Sequence, residues 1–368
     1  MRVLELAGGP AASFAGLLLA ELGHEVTRVA PPGDGSFEGT RSAFPTPTEQ
    51  AYFDRRKSSL TLDLRTRAGA AAFVRLAADH DAVIENLGAG SLGRLRISPR
   101  RLLGANHALI VASISPFGQS GPKAHWQASE LGVQASAGIL HSTGWVGETP
   151  LKTGALAAHA IAGINAATAV LAAAVGIASG HSSGVRIDVS MQECYLHHWS
   201  RHIGEWAYSG TKMRREGRTF GHQGFPHTAM AADGWLYLLA LFADWESLAL
   251  FLGLDPFVTH EWTDPEVRAQ RWPEIEEPFY TSLASRGRQE WFAAAAEDGY
   301  TFAPVHSPSD QLHNEQFAAR GFLKPAQVNG QDVPCPGLPF PWDEPSAPNR
   351  PPSKSGRDDQ LPGALNVQ

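Results

Sequence analysis

Residues 2–33 read RVLELAGGPAASFAGLLLAELGHEVTRVAPPG. The segment RVLEL (2–6) has the texture of a strand, and Gly8-Gly9-Pro10 that of a tight turn. Residues 11–22 form an amphipathic helical pattern ending at Gly23, and EVTRVA (25–30) is a second strand, stopped by Pro31-Pro32-Gly33. Strand, helix, strand in so short a space is a β-α-β unit, and such a unit implies a parallel sheet. The turn lacks the G-x-G-x-x-G spacing of a dinucleotide site, yet it presents bare amides at a helix N-terminus, a generic anion site.

The alternation continues outward. After a loop at 34–50, DRRKSSLTLDL (54–64) supplies a short strand behind a basic knot, and Ala68 to His80 is helical. DAVIEN (81–86) is a strand, GAGSLGRL (88–95) a Gly-loosened turn entering a short helix, and HALIVASIS (107–115) another strand, closed by the turn GQSGP (118–122). The N-terminal half is therefore expected to be a doubly wound, Rossmann-like α/β sheet. In such sheets ligands sit beyond the carboxyl ends of the strands, which here are Arg65, Glu85-Asn86-Leu87 and Pro116-Phe117.

Between Trp126 and Glu193 two helical patterns flank a turn-rich linker. They are WQASELGVQASAGIL (126–140) and the Ala-rich run from Ala157 to about Ala178, after which VRIDVSM (185–191) alternates as a half-buried strand. Each helical pattern holds one ionisable group near its start, Glu130 and His159. Each has two readings: a dipole partner or hydrogen-bonded structural residue, or a member of an acid–base pair. The Ala-rich run is long enough to suggest a membrane span, but its weakly apolar residues, His159 and Asn165 favour a buried helix and no membrane.

From His197 to Thr228 the chain becomes aromatic and mixed in charge, read as a linker helix and a loop into a second unit. There MAADGWLYLLAL (230–241) reads as a hairpin, with helices at 244–252, 265–285 and 289–298, and the last ~45 residues as an extended Pro/Gly-rich tail. The domain reading is 1–195 as the N-terminal part of a large α/β domain, 196–228 as linker, 229–300 as a smaller α+β domain, and 301–368 as a return to the large domain and tail.

With 368 residues, 43% hydrophobic and 18% charged, the chain can build a substantial core. A formal charge of -7 without basic runs gives no case for nucleic acid. Cys194 and Cys335 make neither a metal spacing nor a disulfide framework, which fits a reducing cytoplasm. Glu5 interrupts the apolar N-terminus, against a signal peptide. His197, His198 and His202 stand near Glu193 and Glu205, but no third ligand is fixed by spacing, so no metal is expected. GHSSG (180–184) matches G-x-S-x-G in the wrong order, helix before strand, and is read as a loop. The polar set Arg55, Arg56, Lys57, Arg65, Asn86 and Arg94 is either a solvated edge or a phosphate site, since the guanidinium fork suits phosphate oxygens.

Taken together, KSSLTLDL, VIENLGAGSLGRL, ASISPFGQSGP, SELGVQASAGIL, GINAATAVLAA with GVRIDVSMQE, ADGWLYL, APVHSPSDQLHNEQFAARGFL and PGLPF resemble CoA-transferase family III, the CaiB–BaiF family. That family also contains formyl-CoA and carnitine CoA-transferases and α-methylacyl-CoA racemases, and the resemblance covers nearly the whole chain. It implies a large α/β domain built from both chain ends, a smaller middle domain, and two chains interlocked as a homodimer. It also implies coenzyme A as substrate or thioester, on positions that fall at Leu62, Arg65, Asn86, Leu87, Arg94 and Met191, and a small-molecule acyl or carbonyl substrate. A covering Gly-rich loop would correspond to Phe220 to Gly224. The family's transferases use an aspartate nucleophile where this chain has His159. Its racemases pair that aspartate with a histidine where Ser129 stands, and Glu130 takes the neighbouring carboxylate position. Three functions follow: a CoA-transferase with Glu130 or His159 as nucleophile, a general acid–base isomerase, lyase or cyclase using the same two residues, or a non-catalytic subunit of a heteromeric transferase.

Overall fold

The computed structural model describes residues 1–6, 8–33, 37, 46–198, 201–212, 215, 224–239 and 244–340, with the backbone alone at 201 and 202. The expected tail beyond residue 340, residues 220–223 of the Gly-rich loop and the side chain of His202 lie outside the described residues. Two compact units emerge. One comprises Met1–Ile139, Lys152–Thr211 and Glu315–Gln368, the other Leu140–Leu151 and Lys212–Asn314.

The first unit is built on a six-stranded sheet of β1 (Arg2–Leu6), β2 (Glu25–Ala30), β3 (Ser58–Thr61), β4 (Ala82–Glu85), β5 (Ile110–Ser115) and β6 (Val185–Ser190), in spatial order β3-β2-β1-β4-β5-β6 and parallel throughout. The doubly wound expectation holds, and the order reverses between β1 and β4. β1, β4 and β5 are nearly continuous apolar runs because helices cover both faces. One core cluster lies under the Pro10–Glu21 and Ala157–Ala178 helices, with Val3, Leu19, Ile84, Ile114, Ala162 and Val170; another on the opposite face gathers Leu4, Leu6, Phe73, Val83, Leu102 and Val111. A helix at Pro99–Ala105, started by Pro99 and capped by the Ser98 hydroxyl, was not legible in the pattern.

The Ala157–Ala178 helix forms over the expected residues and is long and apolar enough, by length and composition, to cross a membrane. It is not buried all round, as expected, but along one stripe: Ala158, Ala162, Gly163, Ala166, Ala167 and Val170 are covered, while Ile164 and Val175 are 48% and 67% exposed. The covered stripe packs on the Pro10–Glu21 helix so closely that a Cβ at Gly163 would stand 2.7 Å from the Ala11 carbonyl oxygen and 3.1 Å from Phe14 Cβ.

The basic knot is neither a solvated edge nor open to a phosphate. Arg55 and Lys57 are buried. Lys57 Nζ lies 2.7 Å from Glu5 Oε2 and donates to the Ser13 carbonyl, while Ser13 Oγ donates to Glu5 Oε1. Gly16 makes room for this: a Cβ there would overlap Glu5 Oε2. Arg55 Nε donates to Glu21 at 2.8 Å and its Nη2 to the Pro336 carbonyl at 2.6 Å. A strand glutamate under a helix demands a cation, and the knot supplies it.

The expected extended tail begins as a hairpin, β10 (Leu323–Val328) with β11 (Gln331–Pro336), turning at Asn329 and Gly330 with φ of 51° and 84°. Positive φ at both turn positions is what Asn-Gly accepts without strain.

In the second unit the expected hairpin forms as β7 (Thr228–Ala231) and β8 (Gly234–Leu239), extended by β9 (Thr301–Pro304), all antiparallel. Trp245, Trp262, Phe279, Trp291 and Phe302 build its core. The single helix expected over 265–285 is two, Pro265–Gln270 and Trp272–Ala284, meeting at Arg271. Pro273 has no N–H for the continuing helical bond, so the first helix stops there.

Candidate active site

Ser129 caps a short helix, Glu130–Ser136, its hydroxyl accepting from the Gly132 amide. This puts Glu130 in the first helical turn. The Ala157–Ala178 helix has Leu156 at its cap position, which offers no side-chain acceptor. Glu130 supplies it from the other helix: Oε1 accepts from Ala158 N–H at 2.7 Å and Oε2 from His159 N–H at 3.2 Å. A helix N-terminus leaves such amides unsatisfied and favours negative charge beside them. The two residues singled out from sequence are thus brought together.

His159 Nδ1 lies 2.6 Å from Glu130 Oε2, and Gln134 Nε2 donates to Oε1 at 2.6 Å. The side chains of His159 and Glu130 are 17% and 11% exposed, shielded but not sealed. Burial alone pushes the Glu130 carboxyl up. The hydrogen bonds from His159, Ala158 and Gln134, with the attraction of the imidazole, outweigh it and hold the carboxyl down at about 2. At neutral pH it is therefore an anion, which only accepts, so Nδ1 must carry the proton. The ring's other nitrogen, Nε2, has no hydrogen-bond partner among the described residues.

Behind the pair lies a half-buried chain of hydrogen bonds that sequence reasoning missed. Gln134 Oε1 accepts from Thr153 N–H at 2.9 Å, and the hydroxyls of Thr153 and Tyr195 are 2.8 Å apart. The one available signal was the i, i+4 spacing of Glu130 and Gln134, which places them on the same helix face.

Topology sets where this pair stands. The Pro10–Glu21 and Ala157–Ala178 helices both return the chain between parallel strands, β1 to β2 and β5 to β6, so both begin at the carboxyl edge of the sheet. His159 lies one turn before Gly163, the point of contact with Ala11.

The other expected positions distribute along that same edge. Leu62 and Arg65 follow β3, Asn86 and Leu87 follow β4, Arg94 ends the short Ser91–Arg94 helix, and Met191 follows β6. At about 4.8 Å per strand the set spans roughly 24 Å from β3 to β6. Arg65 is exposed and paired with Asp63 at 2.7 Å. Arg94 donates to the Ala89 carbonyl and to Ser91 Oγ. Met191 is buried in the core cluster, and Leu62 hydrogen-bonds through its amide to Ala30. At the order reversal, Cβ atoms at Gly8 and Gly9 would strike Leu87 and Asn86 at 2.7 and 2.4 Å. Asn86 Oδ1 is buried there with no hydrogen-bond partner among the described residues. The Gly-rich loop's Phe220 to Gln223 fall outside the described residues. His197 and His198 end the Met191–His198 helix, and among the described residues no group of His, Cys, Asp and Glu is arranged to hold a metal.

The family model for CoA-transferase family III matches residues 1–359. Among curated relatives, a succinate–glutarate CoA-transferase of Agrobacterium fabrum is 28% identical over 335 residues, covering 87% of this chain and 83% of its own. An α-methylacyl-CoA racemase of Mus musculus is 27% identical over 341 residues, covering 91% and 84%. Among solved structures, a CaiB/BaiF family protein from Brucella suis superposes with a TM-score of 0.81 at 25% identity, over 94% of this chain and 92% of that one.

Proposed function

This chain belongs to CoA-transferase family III and is an enzyme of that type, and from that premise we propose that it acts on an acyl-CoA by proton transfer at the carbon beside the thioester carbonyl. His159 Nε2 is the base and Glu130 the group that orients it. One observation carries this reading: the Glu130 carboxylate already accepts four hydrogen bonds, two on each oxygen, one of them from His159 Nδ1.

A carboxylate so occupied is a poor nucleophile, because attack on a carbonyl would strip its donors and uncap a helix. An imidazole held by a carboxylate in the Nδ1–H form is in contrast prepared to take a proton at Nε2. In the proposed step Nε2 removes the α-proton. The C–H electron pair becomes the carbon–carbon double bond of an enolate, and the carbonyl π pair moves to oxygen. The imidazolium formed is stabilised by the charge of the Glu130 carboxylate, exchanges its Nε2 proton with solvent, and delivers the exchanged proton to carbon as the enolate pair re-forms the C–H bond. Racemase and transferase names among the relatives are in keeping with acyl-CoA as the substrate class.

Coenzyme A is proposed to lie along the carboxyl edge on Leu62, Arg65, Asn86, Leu87, Arg94 and Met191. Exposed Arg65 offers a phosphate a two-pronged partner in exchange for Asp63. The proposed assembly is a homodimer, checked by solution mass; activity only with a second, different chain would refute it.

The test is incubation with an acyl-CoA in D2O, read by mass spectrometry of both substrate and protein. Deuterium at the α-carbon, absent with His159→Ala, is the expected result. A covalent acyl or CoA adduct on Glu130 or His159, or undiminished turnover in His159→Ala, would overturn the reading.

A further inference from the structure

Gln134 is completely buried one helical turn beyond Glu130. Its environment leaves the amide a single orientation. Thr153 N–H can only donate, so the oxygen of the amide must face it, and the NH2 must then face Glu130 Oε1. Thr153 is itself tied through its hydroxyl to Tyr195, which is 1% exposed, so the anchor is inside the core. The amide thus offers Glu130 a donor and never an acceptor.

We propose that Gln134 is a positioning residue for the reaction: by meeting Glu130 with N–H alone it keeps that carboxylate acceptor-only and squared to the ring, which holds the imidazole proton on Nδ1 and frees Nε2. An acceptor at the same place would invite a proton onto Glu130. A carboxylic acid could then turn its O–H towards the ring, and the ring would answer with its proton on Nε2. Donation converges on Glu130: Thr153 N–H donates to Gln134 Oε1 and Gln134 NH2 to Glu130 Oε1 from one side, and His159 Nδ1–H donates to Oε2 from the other. The inference rests on the proton-transfer reading of His159, but the ring's tautomer is measurable without turnover, so the two can fail separately.

Two variants of the full chain test it, Gln134→Leu and Gln134→Glu, with ¹⁵N-histidine NMR to locate the His159 proton and α-deuterium exchange to give kcat and KM. The His159 signal is assigned by its loss in His159→Gln. Wild-type protein should show one tautomer, Nδ1–H. Gln134→Leu should populate both tautomers and lower kcat roughly 10- to 100-fold with KM within about twofold, the scale of one hydrogen bond to a charged group. Gln134→Glu has the same shape and guards against a folding artefact in the leucine variant. Its carboxyl, while protonated, can donate as the amide did, so tautomer and turnover should be retained in the pH range where that carboxyl is protonated and the ring is not. Both should be lost as pH rises and the second carboxyl ionises against the first. A wild-type pH profile in Gln134→Glu, or an unshifted tautomer in both variants, overturns the proposal. If wild-type enzyme exchanges no α-proton, the proton-transfer reading falls, and the tautomer shift alone then upholds or overturns the role of Gln134.

Discussion

Glu130→Gln keeps the side chain's shape and removes its charge, and its consequences can be worked from the four donors around it. Two face each oxygen: Ala158 N–H and Gln134 NH2 at Oε1, His159 N–H and Nδ1 at Oε2. An amide can satisfy only one side and opposes its own NH2 to the other. The less costly placement puts the nitrogen towards His159, because the ring alone can adapt, moving its proton to Nε2 and accepting at Nδ1. That is the wrong tautomer for a base. In other carboxylate–imidazole pairs this exchange costs ~10⁴ in kcat, and a loss of about 10³–10⁴ with little change in KM is expected here. The stability cost follows from linkage. The carboxyl moves from 4.5 to about 2 on folding, worth roughly 3 kcal/mol at about 1.4 kcal/mol per unit. For a domain of this size that is a fall in Tm of roughly 6–12 °C at neutral pH. A depressed carboxyl contributes fully above its unfolded value and loses that contribution as pH falls through the folded one. The gap between wild type and variant should therefore close between pH 4.5 and about 2. Thermal unfolding across pH, beside α-deuterium exchange, measures both effects. A variant within tenfold of wild-type turnover and with undiminished Tm would refute the reasoning.

Other substitutions probe the scaffold. Gly163→Ala forces a methyl against the Ala11 carbonyl, which as backbone cannot retreat; about 1–3 kcal/mol of destabilisation is expected by denaturant titration, with turnover reduced because His159 is one turn away. Lys57→Met strands the Glu5 carboxylate inside the core, for roughly 3–5 kcal/mol, and adding Glu5→Gln should restore most of it in a double-mutant cycle. Arg65→Ala should leave the fold intact, since its side chain is 51% exposed, while raising the Kd for coenzyme A about tenfold or more by calorimetry.

The strand–helix alternation was readable because most elements of the N-terminal half have their own period and punctuation, from RVLEL through HALIVASIS; the Pro47–Asp54 helix, in a stretch read as loop, and the Pro99–Ala105 helix are the exceptions. Glu130 and His159 were readable as oddities, polar groups at the starts of apolar helices, but their contact was not. It depends on Glu130 capping a helix 28 positions further along the chain, and capping from a distance leaves no local signature. Gln134, Thr153 and Tyr195 were silent for the same reason, being ordinary residues whose partners are set by tertiary packing. The basic knot misled because charge on a sequence implies solvent, and the buried Glu5 that accounts for Lys57 lies on another strand altogether. The Asn329-Gly330 pair carries a hairpin-turn signal, but the prolines around it give the stretch the composition of an extended tail.

The close meeting of Gly163 with Ala11 sets the height above the sheet of His159, the proposed base, by peptide resting on peptide. Side chains lining the approach can then drift, lengthen or change polarity while the imidazole stays at a fixed altitude. A descendant of this chain with a different acyl preference would need new walls but no new floor.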